Sequence, residues 1–438
     1  MKGPEQQASA PPPTEVTRPA FTAAIWGQCF GVQPQVALGR GLGLLYLHAL
    51  GIPPDRIAVL LSLSLLVRGL LSIPAGYWAD RLGRKRLGIA GQWLAIAGFA
   101  GLAVAAWVPQ GLPVLATVTV GMVTFGLGTT LFGAGWFALL SPLIPADARG
   151  RHLGRLRFAR QLAAVVFGGL IALWMSETTP LAGFQMVFAG LTVCLVIRLV
   201  FYRRIPELER SVPARAGLAE SLAAVLAIPG YRRFCIFVLA IFVLVGAVPM
   251  LFGLLELEEL NLGDAVVWQL GVVMIAGHMV GSRVAGHLVD ALGGRLMLGL
   301  CQLAFLVSLA LLVSRGGGLS ILMGAVLASF LFGVAKTALE IAVHSELLGL
   351  APRENKALAV SACTTLIYLG ESLAGLLIAG LLGSAALAQW SSGGGGSSRY
   401  DVVLIGLGFG LVALLTTTAL VTLANRHQVA GRSSSSVD

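Results

Sequence analysis

The sequence has few charged residues for its length. Asp, Glu, Lys and Arg make up only 11% of its 438 residues, whereas a soluble domain carries about 25%. This scarcity excludes a water-soluble globular protein. Hydrophobic residues make up 57% of the chain and its mean hydropathy is +0.86, so we expect it to lie in a lipid bilayer.

Several chemical motifs are also missing. The five cysteines lie in separate apolar stretches, which excludes a disulfide framework and predicts small buried side chains (Cys29, Cys194, Cys235, Cys301 and Cys363). No nucleotide-binding loop, metal-spaced His/Asp cluster or nucleophile–base pair is present, so we expect neither an enzyme nor a cofactor nor a metal site. The first residues lack the charged start and cleavage site of a signal peptide.

The chain does contain a series of apolar stretches of about 20 residues, the length of a membrane-spanning helix. Strands of a β-barrel would instead alternate over about ten residues. We predict twelve spans, at residues 21–48, 57–78, 87–108, 112–140, 152–175, 183–202, 234–255, 265–289, 296–314, 319–343, 357–382 and 402–424.

The cations are distributed unevenly between the predicted loops. Of 30 Lys and Arg residues, only Arg56, Arg315 and Arg399 fall in loops on one side. The positive-inside rule places the other loops and both termini in the cytoplasm. The net charge of +10 therefore follows from topology and indicates no nucleic acid partner. The expected location is a bacterial cytoplasmic (inner) membrane.

One loop occurs twice. The segment Gly76–Arg86 follows the second span, and Gly286–Arg295 follows the eighth, 210 residues later, with the same spacing of glycine, aspartate and glycine. Segments Pro145–Arg149 and Pro352–Lys356 repeat a proline and a cation 207 residues apart. Two landmarks at nearly one offset predict an internally duplicated membrane protein.

The first loop, Gly76-x3-Asp80-Arg81-x-Gly83-Arg84-Lys85, resembles the signature between helices 2 and 3 of the major facilitator superfamily of transporters. The second resembles its degenerate partner between helices 8 and 9. The resemblance covers roughly residues 20–425 and implies an all-α integral membrane protein of twelve transmembrane helices in two pseudo-symmetric six-helix bundles. It also implies alternating access, with a conformational latch formed here by Gly76, Asp80, Arg81, Gly83, Arg84, Gly286, Asp290, Gly293 and Arg295.

Composition suggests where these parts begin and end. Residues 1–18, rich in Pro, Gln and Ala, are predicted to be a disordered cytoplasmic tail. Residues 205–230 form a cytoplasmic linker with a short amphipathic helix at Leu218–Ile228. The two bundles occupy 19–204 and 231–425, with a flexible Gly/Ser-rich outer loop at 391–398 and a polar tail at 426–438. We expect a monomer.

Ionisable side chains inside spans mark a hydrated path, because each costs about 2.5–3.5 kcal/mol to insert. The resemblance implies a central cavity lined by helices 1, 4, 7 and 10 and flanked by 2, 5, 8 and 11. The ionisable residues inside spans lie on these lining and flanking helices. Arg198 is the exception, because it lies in the sixth span, which is expected to face lipid. Candidate contacts to a small-molecule substrate are Gln28, Gln33, Gln35, Arg40, Arg68, Trp136 and Lys336. Candidates for proton coupling are Glu371, Glu340 and His278.

Each candidate also has a structural interpretation. Arg40 can reach the outer interface, Arg68 can form an interhelix pair, and Lys336 can pair with Glu340 one turn away. Glu371 can carry a proton or bind a neighbouring cation or tyrosine, and His278 can be packed in the core.

Three functions remain open from the sequence. Arg40 and Arg68 favour a transported solute with a carboxylate or phosphate. A lipophilic drug or lysolipid would suit the aliphatic spans. However, the fourth span lacks the arginine, and the fifth the glycine–proline pair, of the family's drug/proton antiporter branches. A non-transporting scaffold or sensor is a third interpretation, and the costly charges in cavity-lining spans argue against it.

Overall fold

The computed structural model describes residues 14–39, 41–140, 143, 149–208, 218–314, 320–350, 356–385 and 398–434. Throughout these ranges the chain is helical between turns and forms no β-strand. The all-α fold is thereby confirmed.

Within the described residues, the first half contains eight α-helices. They are α1 (Thr14–Gly31), α2 (Gln33–Gly39), α3 (Leu42–Ala49), α4 (Pro54–Leu82), α5 (Arg84–Val104), α6 (Leu112–Leu140), α7 (Arg149–Trp174) and α8 (Leu181–Arg203). A short linker helix, α9 (Leu218–Leu226), follows within the stretch predicted to be amphipathic.

The second half repeats the pattern. Its helices are α10 (Pro229–Val245), α11 (Val248–Leu254) with a π-helical turn (Leu255–Glu259), α12 (Asp264–Leu292), α13 (Gly294–Val313), α14 (Ile321–Leu350), α15 (Lys356–Leu382) and α16 (Arg399–Ser434). Within the described ranges, eleven helical segments are long and apolar enough to cross a membrane. The remaining predicted span is divided among α1, α2 and α3.

Each half begins with a broken helix. The sequence predicts that Pro34 interrupts the first span, because proline has no N–H to donate. In the structure Pro34 lies just after the junction of α1 and α2. A second interruption precedes α3, where Gly41 adopts a positive φ of 108°. In the second half, α10 ends before Gly246 and Pro249 lies in the first turn of α11.

The duplicated loops occupy equivalent places. Helices α4 and α12 are both 29 residues long and begin 210 positions apart. Each ends at a glycine with positive φ, 93° at Gly83 and 81° at Gly293, a conformation that side chains with a Cβ rarely adopt. The predicted pseudo-symmetry is therefore confirmed. We call the end of the bundle that carries Gly83 and Gly293 the basic end.

The termini differ from the predicted boundaries. Helix α1 begins at Thr14, so residues 14–18 are helical where a tail was expected, and residues 1–13 lie outside the described residues. Helix α16 continues to Ser434, beyond the predicted end of the second bundle at residue 425. Residues 391–397 of the Gly/Ser-rich loop also lie outside the described residues.

Helices α5 and α6 approach each other through glycines, because a residue without a Cβ lets two backbones meet. A Cβ built on Gly91 would lie 2.6 Å from the backbone nitrogen of Phe132, and one on Gly128 would clash with the backbone of Ala95. These contacts bring the backbones of α5 and α6 together directly.

Replacing Gly128 with valine is expected to destabilise the first half by about 1–3 kcal/mol, because the new side chain must displace the backbone of α5. Thermal unfolding in detergent, followed by the monodisperse fraction, measures the effect. Gly133→Val is the matched control on the same helix, since a Cβ there meets nothing within 4 Å. Equal unfolding temperatures for the two variants would contradict the proposed packing.

Candidate functional site

The two halves meet at the end of the bundle opposite the basic end. Helices α4 and α15 pack closely there, and the Ser372 hydroxyl donates a hydrogen bond to the Ser62 carbonyl at 3.2 Å. A Cβ on Gly375 would clash with the Ser62 side chain. Nearer the middle, a Cβ on Gly69 would lie 2.7 Å from the Leu369 side chain.

Helices α7 and α12 close the other side of this interface. The Trp268 indole N–H donates to the Gly168 carbonyl at 2.9 Å. Beyond the end of α7, the backbone N–H of Asp264 donates to the Glu177 carbonyl at 2.9 Å. The Asp264 carboxylate in turn accepts from the backbone N–H of Thr179 at 3.0 Å.

The basic end is open by comparison. A Cβ built on Gly76 of α4 or on Gly286 of α12 would meet no atom within 4 Å. Trp78 and Leu292 are 41% and 42% exposed. At these positions the basic end is therefore less closely packed than the opposite end.

An ion pair lies at the centre of the second half. The Lys336 ammonium of α14 is 2.6 Å from a carboxylate oxygen of Glu371 on α15, and the side chains are 7% and 16% exposed. The ammonium also lies 4.2 Å from the centre of the Phe242 ring of α10. Lys336 thus pairs with Glu371 rather than with Glu340, the partner one turn away that the sequence suggested. Glu340 is exposed.

A second polar contact, one helical turn before Glu371 on α15, joins the two halves. The Arg68 guanidinium of α4 donates to the Tyr368 hydroxyl at 2.6 Å, and its central carbon lies 4.1 Å from the centre of the same ring. Arg68 therefore forms the interhelix pair that was one of its two interpretations. Helix α15 carries both contacts, Tyr368 to the other half and Glu371 to its own half.

A cavity of about 80 Å³ lies beside this centre, between the broken helices of the two halves. Its described lining residues are mostly aliphatic or small, and Glu371 is the one ionisable group among them (Leu38, Gly39, Gly41, Leu44, Leu61, Ser62, Leu65, Gly246, Ala247, Pro249, Met250 and Glu371). Gly246, at the end of α10, allows α10 to approach α15 closely, since a Cβ at this position would lie 2.5 Å from the Glu371 Cα. The cavity can hold an apolar group next to one carboxylate.

Sequence reasoning missed a second carboxylate. Glu256 lies in the π-helical turn after α11, is 3% exposed, and lines a small cavity of about 10 Å³ that shares Gly41 and Pro249 with the larger one. The predicted span ended at Leu255, which left Glu256 in an outer loop beside Glu258. Pro249 was the sequence feature that could have indicated a longer span, because a helix interrupted there needs more residues to cross the membrane.

The other predicted substrate contacts do not converge on this cavity. The Gln33 side chain is buried and donates to the Cys29 carbonyl at 2.7 Å. Trp136 stacks against Phe132 within the first half. Gln28 and Gln35 are half-buried, and Arg40 lies outside the described residues.

His278, a candidate for proton coupling, is buried between α12 and α14. Its Nδ1 atom lies 2.6 Å from the Thr337 hydroxyl oxygen. This contact fits its structural interpretation, and it leaves the proton-coupling role a prediction.

Arg198 faces the interior of the first half and not the lipid, contrary to the expectation for the sixth span. It is 4% exposed, and its guanidinium carbon lies 3.5 Å from the centre of the Phe132 ring. Its Nη1 donates to the Gly31 carbonyl at 3.4 Å, at the first helix break. The break gives this cation an acceptor inside the bundle.

The predicted latch residues lie at the basic end. The Arg81 guanidinium lies over the Tyr77 ring at 4.3 Å, and the Arg84 backbone N–H donates to a Glu207 carboxylate oxygen at 3.0 Å. The exposed Arg295 lies 3.7 Å from Glu346. Asp290 is also exposed, and the side chain of Asp80 lies outside the described residues. Their role as a latch stays a prediction.

Nothing in the described part of the chain resembles a metal centre, as no three His, Cys, Asp or Glu side chains there could hold one ion. The cysteines are free thiols, four of them buried and Cys29 half-buried.

Comparison with known proteins gives two consistent findings. The family model described as Major Facilitator Superfamily matches residues 36–375. Multidrug resistance protein MdtH of Aeromonas hydrophila is 30% identical over 224 residues, which cover 49% of this chain and 52% of that protein. MdtH of Aeromonas salmonicida is 31% identical over 197 residues, 42% and 46% of the two chains. The chain spans about half the length of these curated relatives.

Solved transporter structures share the fold. A POT family transporter in complex with 5-aminolevulinic acid has a TM-score of 0.70 at 13% identity, covering 92% of this chain and 95% of that one. The nucleoside transporter NupG also reaches 0.70 at 12% identity, covering 92% and 99%. A D-xylose-proton symporter reaches 0.69 at 16% identity, covering 90% and 95%. At these identities the likeness shows the fold alone.

Proposed function

The chain belongs to the Major Facilitator Superfamily, and from this premise we propose that it exports lipophilic solutes in exchange for protons by alternating access. The chain is a multi-pass membrane transporter and not an enzyme. The class of solute and the coupling of transport to protons are proposals.

The cavity beside Glu371 is the observation that carries this proposal. Its aliphatic lining can hold an apolar group of a solute by removing hydrocarbon surface from water. Its one ionisable lining residue, Glu371, can accept a proton or face a cationic group. The name of the MdtH relatives, multidrug resistance protein, agrees with this substrate class.

Glu371 is the proposed proton carrier. Ionised, it pairs with Lys336 at 2.6 Å. Protonated, it leaves the Lys336 ammonium without its partner in a site that is nearly closed to water. The two forms therefore favour different arrangements of α14 and α15, which is what coupling to a conformational change requires.

We further propose that the basic end and both termini face the cytoplasm, as the distribution of cations favours. The conformation described here is then open to the inside. In the outward-open state the halves 19–204 and 231–425 separate at the opposite end, and the loops at Gly76–Arg86 and Gly286–Arg295 lock the basic end.

An anionic solute is the second candidate. Arg157, Arg160 and Arg283 are exposed on α7 and α12, the helices whose basic-end halves line the opening. Arg160 is within electrostatic range of Glu340, the exposed carboxylate of α14. A cationic entrance of this kind attracts anions from the cytoplasm.

Proteoliposomes with an imposed pH gradient test both candidates. We expect a fluorescent lipophilic cation such as ethidium to move against its gradient, with a solute-dependent proton flux in the opposite direction. Liposomes without protein are the control. Proton flux that depends on small carboxylates or phosphate esters, and not on ethidium, would favour the anionic candidate instead. A lack of flux with either class would contradict proton-coupled transport of these solutes.

A further inference from the structure

Glu256 is a buried carboxyl group that has no hydrogen-bond or ion-pair partner among the described residues. It is 3% exposed, and its Oε1 atom accepts no hydrogen bond. It sits on the π-helical turn Leu255–Glu259, an irregularity that often occurs at functional positions because it redirects one side chain. Its neighbour Glu258, in contrast, pairs with Arg399 at the surface.

Among the described residues, the surroundings of Glu256 offer no compensating charge. The other described residues that line its cavity are not titratable (Gly41, Pro249, Phe252, Gly253, Val267, Leu270, Gly271, Met274 and Ser329). The charged groups in the nearby parts of the packed elements have contacts of their own. On α12, Asp264 binds Thr179 and His278 contacts Thr337, and on α14 Lys336 pairs with Glu371. His48 of α3 is exposed, as is Glu259 of the same turn, and Arg40 lies outside the described residues.

This environment favours the neutral form of the carboxyl group. An ionised carboxylate that leaves water needs donors or a cation to offset its lost hydration. Among the described residues Glu256 has neither in the closed arrangement of this end.

The closed arrangement depends on contact between the two broken helices. A Cβ built on Gly253 of α11 would lie 3.2 Å from the Leu44 side chain of α3. Separation of α3 from α11 would let water reach Glu256 from the end opposite the basic end. In water the carboxyl group can lose its proton to the solvent on that side.

We propose that Glu256 is a second proton-binding site, which takes up a proton from the outer side before α3 and α11 can close over it. The inference rests on the alternating access of the proposed function but not on any particular solute. The proton neutralises the carboxylate, and the neutral group can then be buried. The cavity of Glu256 and that of Glu371 are neighbours, since both are lined by Gly41 and Pro249.

Distance measurements on spin labels test this proposal without any solute. Labels on cysteines introduced at the exposed positions His48 and Asn261 report the separation of the two halves at this end. The half-buried Cys29 is replaced by alanine, and the four buried cysteines are left in place. Electron paramagnetic resonance then gives the ratio of closed to open protein between pH 5 and pH 9.

We expect the closed fraction to fall as the pH rises, since the closed state holds the additional proton. One linked proton changes the ratio by up to about tenfold per pH unit. In Glu256→Gln the slope of the logarithm of this ratio against pH should decrease by about one, and the closed state should persist at high pH.

Glu259→Gln is the matched control, because it removes the same charge from an exposed position of the same turn. Glu256→Met, which is also unable to ionise and suits apolar surroundings, covers the case in which the glutamine variant fails to fold. A slope that remains as in the unsubstituted protein in the folded variants would overturn the proposal. Because no solute is present, failure to export ethidium would leave this result unaffected.

Discussion

Replacing Glu371 with glutamine is expected to reduce proton-driven export to the background rate. The amide cannot bind or release a proton, so this site can no longer couple a pH gradient to solute movement. It also leaves the Lys336 ammonium, only 7% exposed, without its anionic partner. Removal of one member of a buried ion pair typically costs about 3–5 kcal/mol, so the single variant should be less stable as well as inactive. Ethidium efflux and proton flux in proteoliposomes measure the first effect, and thermal unfolding the second.

A double variant separates the two effects. Lys336→Gln combined with Glu371→Gln has no unpaired charge, so we expect it to recover thermal stability but not proton coupling. Glu220→Gln on the linker helix α9 controls for the loss of one exposed carboxylate. Solute-dependent proton flux in the folded double variant would show that the coupling group lies elsewhere.

Replacing Gly375 with valine is expected to stop transport by preventing closure of the end opposite the basic end. A Cβ at this position would clash with the Ser62 side chain, and the valine methyl groups would add further overlap between α15 and α4. Because these helices belong to different halves, the overlap opposes their approach more than it disturbs either half. The protein should therefore stay folded and favour the arrangement that is open at this end. Spin labels at His48 and Asn261 should report a longer distance than in the unsubstituted protein.

Gly380→Val is the control on the same helix, where a Cβ would meet nothing within 4 Å. It should transport at the normal rate and show the normal label distance. Should Gly375→Val also transport normally, the contact between α4 and α15 could not be needed for closure.

The sequence was informative about the fold because membrane insertion imposes simple rules. Apolar length and the repeated loops predicted the helical spans and the pseudo-symmetric halves, and Pro34 predicted the first helix break. The break before Gly41 was missed because a single glycine within an apolar stretch has many possible roles. The role of Gly41 depends on tertiary packing, which one sequence does not display.

The site was harder to predict because it depends on contacts between helices. A period of 3.6 residues suggested that Lys336 pairs with Glu340, but the rotation of α14 directs its ammonium to Glu371 instead. Trp136 had a suitable residue type for a cavity wall, yet its ring packs inside the first half. Glu256 was assigned to a loop because the seventh span was ended at Leu255, without allowing for the interruption before Pro249.

The pairing of Lys336 with Glu371 also has an electrical consequence. While both are ionised their charges cancel, so the middle of the bilayer carries no net charge from this pair. In the proposed cycle, proton uptake by Glu371 leaves one positive charge there. Full displacement of one elementary charge through the membrane is worth about 2.3 kcal/mol per 100 mV. The resting voltage would then act on this pair mainly in its protonated form.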